Sequence, residues 1–290
     1  GANTFQAVHR DGPSTLFRAA ERARVRLIIQ ISSLGADAAA TTAYHRTKRE
    51  ADDFLRGLAV DWVVLQPSLV YGPGGRSQAF FAALAALPLV PCLGGDDQLI
   101  QPVHVDDLVE GILRLLRADS IDRITLAVVG PEPVRFSEFL RAIRRWLGLP
   151  VAPVLVVPLI LARLAARIGD FRKWEFLNTD TLAMLCRGNI ADAAHYSAAT
   201  GIRPRHISMG LPQGGASRLE QVSASLYFAP PILRFSIALV WIGSGIVSLW
   251  GFPRETSEAW LLRVGIPGAW TALTLQAAAV LDVLLGLATL

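Results

Sequence analysis

Hydrophobic and polar positions alternate along this chain in two regimes, a mixed α/β pattern in its first half and long apolar stretches in its last quarter. Residues 5–24 put Phe5, Val8, Leu16, Phe17 and Ala20 on the apolar side of a helical period that Gly12-Pro13 interrupts. An interior proline costs about 3 kcal/mol, so a kink or break is expected there. Residues 25–31 are a short apolar run rich in β-branched side chains, read as a strand covered on both faces, as in parallel sheets. A helix over 41–58 and a second buried strand over 60–65 follow. The latter feeds a long loop, Gln66-Pro67-Ser68-Leu69-Val70-Tyr71-Gly72-Pro73-Gly74-Gly75. Strand, helix and strand with short connections predict a right-handed parallel crossover. A helix over 78–87, an extended stretch over 101–105, a helix capped by Asp106 or Asp107 and running to about Arg117, a strand over 124–129 and an amphipathic helix over 136–147 complete this part.

The pattern changes near Gly148. Residues 151–168 are apolar enough to suggest a span, but Pro153, Pro158, Arg163 and Arg167 interrupt them, and after Pro158 too few residues remain before Gly169. An amphipathic or interfacial helix fits, with packing in a small helical subdomain as the alternative. Residues 232–250 and 270–290 are each long and apolar enough to cross a bilayer, with residues 253–268 as their linker. Asp282 lies inside the second stretch, where a carboxylate costs about 2.5 to 3.5 kcal/mol on insertion scales. It is expected to serve a proton- or quinone-related site, or to hydrogen-bond to Gln276 or to a further helix. The expected organisation is an α/β unit over 1–130, a mostly helical region over 131–222 that shapes the substrate pocket, and a membrane unit over 223–290.

Composition agrees with a lipid-facing part. Hydrophobic residues make up 52% of the 290 positions and charged residues only 18%, with a mean hydropathy of +0.40. The net charge of +4 comes from arginine, since Lys48 and Lys173 are the only lysines. No basic run alternates with aromatics, so no nucleic-acid partner is expected and the basic bias suits a membrane surface. Cys92 and Cys186 read as reduced, buried thiols, too few and too separated for a disulfide framework. No signal peptide opens the chain, and it is expected to start within a larger product.

The candidate chemistry is concentrated at Tyr44 and Lys48. Four residues apart, they share one helix face, where an ammonium can lower a phenol's pKa and make it useful in proton transfer. With four tyrosines and two lysines in the chain, roughly 0.03 such pairs are expected by chance. Ser32 and Ser33 close the first strand, and open α/β sheets bind ligands outside the carboxyl ends of their strands. Their hydroxyls are candidates to polarise a substrate carbonyl, or to cap the turn that follows. His104, Asp106 and Asp107 read as a helix N-cap with a hydrogen-bonded histidine rather than as a metal set.

Ser32-Ser33, Tyr44-x-x-x-Lys48, the segment from Gln66 to Pro73 and Pro102-Val103-His104-Val105-Asp106-Asp107 together resemble the short-chain dehydrogenase/reductase family, in its extended or atypical, NAD-dependent epimerase/dehydratase-like branch. The resemblance covers residues 1 to about 212. It implies a partial Rossmann-like parallel sheet, NAD or NADP as cofactor, Tyr44 as acid/base, Lys48 lowering the phenol's pKa and holding the nicotinamide ribose, and Pro67, Ser68, Leu69 and Val70 lining the nicotinamide. Leu34 and Gly35 stand where the family often has its substrate-polarising hydroxyl, and His9 stands where an asparagine is usual. The family's leading strand and glycine-rich phosphate turn have no counterpart ahead of Tyr44, where Gly12 and Gly35 are isolated. About four leading strands and the adenosine half of the site are therefore expected to lie outside this sequence, and this chain alone is expected to bind NAD(P) weakly or not at all. The tail resembles the DoxX-like membrane domain. Together these resemblances imply a membrane-anchored oxidoreductase acting on an unidentified small molecule, its α/β unit cytoplasmic. The alternative is a non-catalytic NAD(P)H-binding or assembly module with a membrane-protein partner, like the Rossmann-type accessory subunit of respiratory complex I.

Overall fold

A computed structural model describes residues 4–94, 98–174 and 176–290, with the backbone alone for Arg76. The chain forms two compact units, Gly1–Ser225 and Leu226–Leu290.

The first unit opens with a π-helical turn, Gln6–Asp11, that passes directly into α1 (Gly12–Arg22). Pro13 is tolerated because it falls in the first turn of α1, where its missing N–H has no intrahelical partner to lose. The predicted break is therefore a change of helical winding. Of the predicted apolar side only Phe17 is buried; Phe5, Val8 and Leu16 are exposed.

The sheet that positions the site has three parallel strands in the order β1 (Leu27–Ile31), β2 (Asp61–Pro67) and β7 (Ile124–Val128), with α2 (Ala43–Arg56) crossing between the first two. In β2 the two-residue period sorts the core. Trp62 and Val64 pack with Phe17, Ala51 and Leu55 of α1 and α2, while Val63 and Leu65 pack with Leu108 and Tyr196 on the other face. β1 was expected to be covered on both faces, but only Ile28 is buried in it. Its place at the end of the strand order, with β2 as its neighbour among the described residues, accounts for the difference.

Between β2 and β7 lie β3 (Val70–Tyr71), α3 (Arg76–Ala86), β4 (Val90–Leu93), β5 (Leu99–Ile100), β6 (Val103–His104) and α4 (Val105–Arg117). The predicted loop over 66–75 thus contains a strand, since Val70 and Tyr71 pair in parallel with Val103 and His104. The cap of α4 is neither aspartate. His104 takes that position, and its Nδ1 accepts from the Asp106 amide at 3.2 Å. Asp107 instead accepts from the Arg205 Nε and backbone amide at 2.9 and 2.8 Å.

The unit continues through β8 (Val134–Arg135), α5 (Phe136–Trp146), β9 (Val154–Val157), α6 (Leu159–Phe171), α7 (Thr179–Arg187), α8 (Ala194–Thr200), α9 (Ile207–Gly210) and α10 (Arg218–Leu226). Phe136, Phe139, Leu140 and Ile143 of α5 join Tyr71, Ala85 and Val90 in a second core. Cys92 is buried as expected, whereas Cys186 is exposed on α7.

The second unit is a hairpin of α11 (Ala229–Ile246), prolonged by a π-helical turn Val247–Gly251, and α13 (Gly268–Thr289), with α12 (Arg254–Arg263) inside the predicted linker. The segments Ala229–Gly251 and Gly268–Thr289 are long and apolar enough to cross a membrane. Ala238, Gly245, Ala279 and Gly286 are buried where the two helices meet. A Cβ at Gly245 would lie 2.6 Å from the Ala279 carbonyl oxygen, so the helices approach to backbone contact there. Asp282 Oδ2 accepts from Ser244 Oγ at 2.9 Å, so the partner of this carboxylate is on α11 and is not Gln276.

Candidate active site

Tyr44 and Lys48 occupy the first turns of α2, which Thr42 starts by accepting the His45 amide on its side chain at 3.2 Å. The helix begins just beyond the carboxyl end of β1, and Lys48 ties the two together. Its Nζ donates to the carbonyls of Ile31 and Ser32 at 3.2 and 3.3 Å and lies 5.5 Å from the centre of the Tyr44 ring. An ammonium has three donors, so one remains for a ligand hydroxyl.

The two adjacent serines have separate fates. Ser32 Oγ donates at 2.5 Å to Oδ2 of Asp52, a fully buried carboxyl one turn beyond Lys48, and is committed to that contact. Ser33 is not held by Asp52; its hydroxyl donates to the Leu34 carbonyl at 3.3 Å and lies near enough to the Tyr44 phenol to oppose the upward shift of its pKa. The structure therefore brings Ser33, Tyr44 and Lys48 together and draws Ser32 into the support beneath them.

The electrostatics depart from the expected lowering of the phenol by Lys48. Burial holds Tyr44 above its ordinary value, with the Ser33 hydrogen bond opposing it. Lys48 is itself pushed down by burial and partly restored by Asp52, and two of its three donors go to the carbonyls of Ile31 and Ser32. Asp52 is held up, chiefly by burial.

Sequence reasoning noted His9 as a departure without giving it a place. It forms a wall of the site, its ring edge-on to Tyr44 at 5.1 Å and its Nδ1 3.3 Å from Thr47 Oγ1, with Phe5 edge-on to the same phenol at 5.9 Å. Burial, then Lys48, lowers its pKa. Arg187 was missed altogether. From α7 it donates to the Gly35 carbonyl at 3.0 Å and to both oxygens of Asp37 at 2.8 and 2.6 Å, fixing the loop that presents Ser33. Its hydrogen bond also keeps the Asp37 carboxyl below its usual value. Gly35 is required in that loop, because at φ 93° a Cβ would lie 2.9 Å from the His45 imidazole.

Pro67, Ser68, Leu69 and Val70 stand at the carboxyl end of β2, beside the end of β1. The Leu34 amide donates to the Pro67 carbonyl at 2.9 Å. Ser68 is buried and its hydroxyl is committed to the Gln101 carbonyl at 2.5 Å, so it offers no free hydroxyl proton, while the Leu69 carbonyl accepts from Val103. The donor set suits the nicotinamide and ribose end of a dinucleotide. For the phosphates, the glycines between residue 4 and Tyr44 are Gly12, inside a helix, and Gly35, packed on His45. Neither forms a phosphate cradle.

Comparison with known proteins gives a match at each end of the chain. Residues 2–130 match the NAD dependent epimerase/dehydratase family and residues 238–290 the DoxX-like family. The chain is 22% identical over 206 residues to the mitochondrial NADH-ubiquinone oxidoreductase 40 kDa subunit of Neurospora crassa, covering 71% of this chain and 54% of that protein. It is 27% identical over 117 residues to the chloroplast stem-loop binding protein of 41 kDa b of Arabidopsis thaliana, covering 39% of this chain and 31% of that one. It thus spans about half, or less, of these curated relatives. The fold is that of dTDP-glucose 4,6-dehydratase from Bacillus anthracis, solved in complex with NAD, at a TM-score of 0.54 and 15% identity over 77% of this chain and 68% of the other. Residues 2–130 are thus similar to the NAD dependent epimerase/dehydratase family and share the Rossmann-like fold of the NAD-bound dehydratase, and residues 238–290 of the same chain are similar to the DoxX-like family.

Proposed function

We propose that this chain is part of a membrane-anchored NAD(P)-dependent oxidoreductase that interconverts a carbonyl and an alcohol, with Tyr44 carrying the proton. The observation that supports it most is the meeting of Tyr44, Ser33 and Lys48 at the carboxyl ends of β1 and β2. When bound, the nicotinamide supplies or takes the hydride. In the reductive direction the Tyr44 phenol gives its proton to the oxygen of the substrate carbonyl as hydride arrives at the carbon. Ser33 hydrogen-bonds the phenol oxygen and steadies the phenolate that is left. The remaining N–H of Lys48 holds a ribose hydroxyl, and Pro67, Ser68, Leu69 and Val70 form the wall against the nicotinamide.

A phenol held above its usual pKa is fully protonated near neutral pH, so the site is set for proton donation. Reduction should be flat through neutral pH and fall as the phenol ionises, whereas alcohol oxidation should rise over the same alkaline range. Turnover of the full-length protein that is unchanged on Tyr44→Phe would sink this reading. The α/β unit is assigned to the cytoplasmic side, where the cofactor is supplied.

A second reading, a non-catalytic NAD(P)H-binding or assembly module for a membrane-protein partner, draws support from Ser32 being locked to Asp52, which leaves one serine at the phenol. The similarity to a subunit of NADH-ubiquinone oxidoreductase points the same way. Tight NAD(P)H binding without turnover would select it. Turnover that falls in the reductive direction as the phenol ionises would select the enzyme.

A further inference from the structure

α6 faces the wrong way for a core helix. Ile160, Leu161, Leu164, Ile168 and Phe171 are all exposed, Phe171 at 86% and Ile160 at 77%, while the residues it buries are Ala162, Ala166 and Gly169. At about 100° per residue, the five large side chains fill roughly 100° of the helix circumference and the three small ones lie on the opposite side. An ordinary surface helix buries its large apolar residues. This one is seated on its small residues and presents the large ones outward, with Leu155 and Val156 of β9 also exposed just before it.

The charges are arranged around that stripe. Arg163 and Arg167 follow one border and Arg172 lies just past the other, with Lys173 and Trp174 after it, all exposed. Asp170, the one acid on the helix, accepts the Thr179 amide at 3.1 Å. An apolar strip bordered by long cationic side chains is what an anionic lipid interface takes up, since arginine can lay its stem along the acyl boundary and keep its guanidinium at the phosphates. The same chain carries two helices long and apolar enough to cross a bilayer, so a lipid surface is within tether.

We infer that α6 is an interfacial helix that docks on an anionic phospholipid bilayer, placing Ile160, Leu164, Ile168 and Phe171 in the acyl boundary and Arg163 and Arg167 at the headgroup phosphates. This rests on the reading that the apolar hairpin holds the chain at a membrane. The test uses the full chain with Cys186→Ser, reconstituted in nanodiscs of phosphatidylcholine with one part in four of phosphatidylglycerol. Single nitroxide labels go on Leu164→Cys, Ile160→Cys, Val280→Cys on the hairpin and Asp119→Cys on the α/β surface. Power saturation compares access of oxygen with that of a water-soluble nickel chelate.

Labels at 160 and 164 should favour oxygen several-fold over the label at 119, and R163E/R167E should shrink that ratio. Nickel access at 160 and 164 equal to that at 119, with 280 still reading lipid, overturns the α6 proposal and leaves the membrane reading standing. A label at 164 shielded from both reagents means a protein face, from a second copy or another partner, and also overturns it. Nickel access at 280 overturns the membrane reading itself. The two label sites on α6 are independent, so one variant that fails to fold leaves the other to decide.

Discussion

At Tyr44 the burial that shields the phenol also sets its titration, and a single serine works against it. Ser33→Ala should therefore move the Tyr44 titration further up, read from the ¹³Cζ signal of labelled tyrosine and assigned with Tyr44→Phe. Asp52 gives a second test with a definite sign. Its folded pKa is raised, so the stability it contributes is present at low pH and is lost as pH rises through the folded value. Asp52→Asn removes that loss, and its denaturation midpoint should gain on the parent as pH rises from below about 4. Tyr44, Lys48 and the serine pair were legible in the sequence from spacing and strand position. Which serine lies near the phenol was not, because both fall just past β1 and the choice depends on where α2 places Asp52. Arg187 left no signal at all, since its partner Asp37 is 150 residues away.

Among the elements, those with a strong period or a local cap were legible and those set by distant partners were not. The helix after the first strand and the buried β2 follow from their own residues, as does the hairpin of apolar helices. The pairing of Val70-Tyr71 with Val103-His104 depends on a segment more than thirty residues away, and the sequence reads it as loop. Arg144 shows the same limit inside α5. Its position in an amphipathic helix suggests a solvated side chain, yet it is buried and donates to the carbonyls of Ala85, Leu87 and Pro150 at 2.6, 2.6 and 2.5 Å. Arg144→Met should strip three carbonyls, the one at Ala85 fully buried, of a charged donor and cost roughly 2 to 4 kcal/mol, measured by denaturant midpoint. Thr42→Ala, which removes the cap of α2, should cost about 1 kcal/mol and lower turnover with it, as Tyr44 and Lys48 lie in the helix's first two turns.

For the whole molecule, the two compact units carry different kinds of chemistry, an α/β unit that gathers a phenol, a serine and an ammonium and an apolar hairpin with a buried seam of small residues. Gly245→Leu should open that seam, because backbone contact with Ala279 leaves no room for a side chain. The hairpin should then lose thermal stability in detergent while the cofactor-independent tyrosine titration of the α/β unit stays put. The central claim, that Tyr44 transfers the proton in a nicotinamide-dependent reaction, is tested most directly by following NAD(P)H absorbance in the full-length protein, wild type and Tyr44→Phe in parallel, against a panel of aldehydes and ketones. The account predicts turnover in the wild type that falls on the order of 10² to 10⁴-fold in Tyr44→Phe with NAD(P)H affinity unchanged. Equal turnover in the two proteins would contradict it.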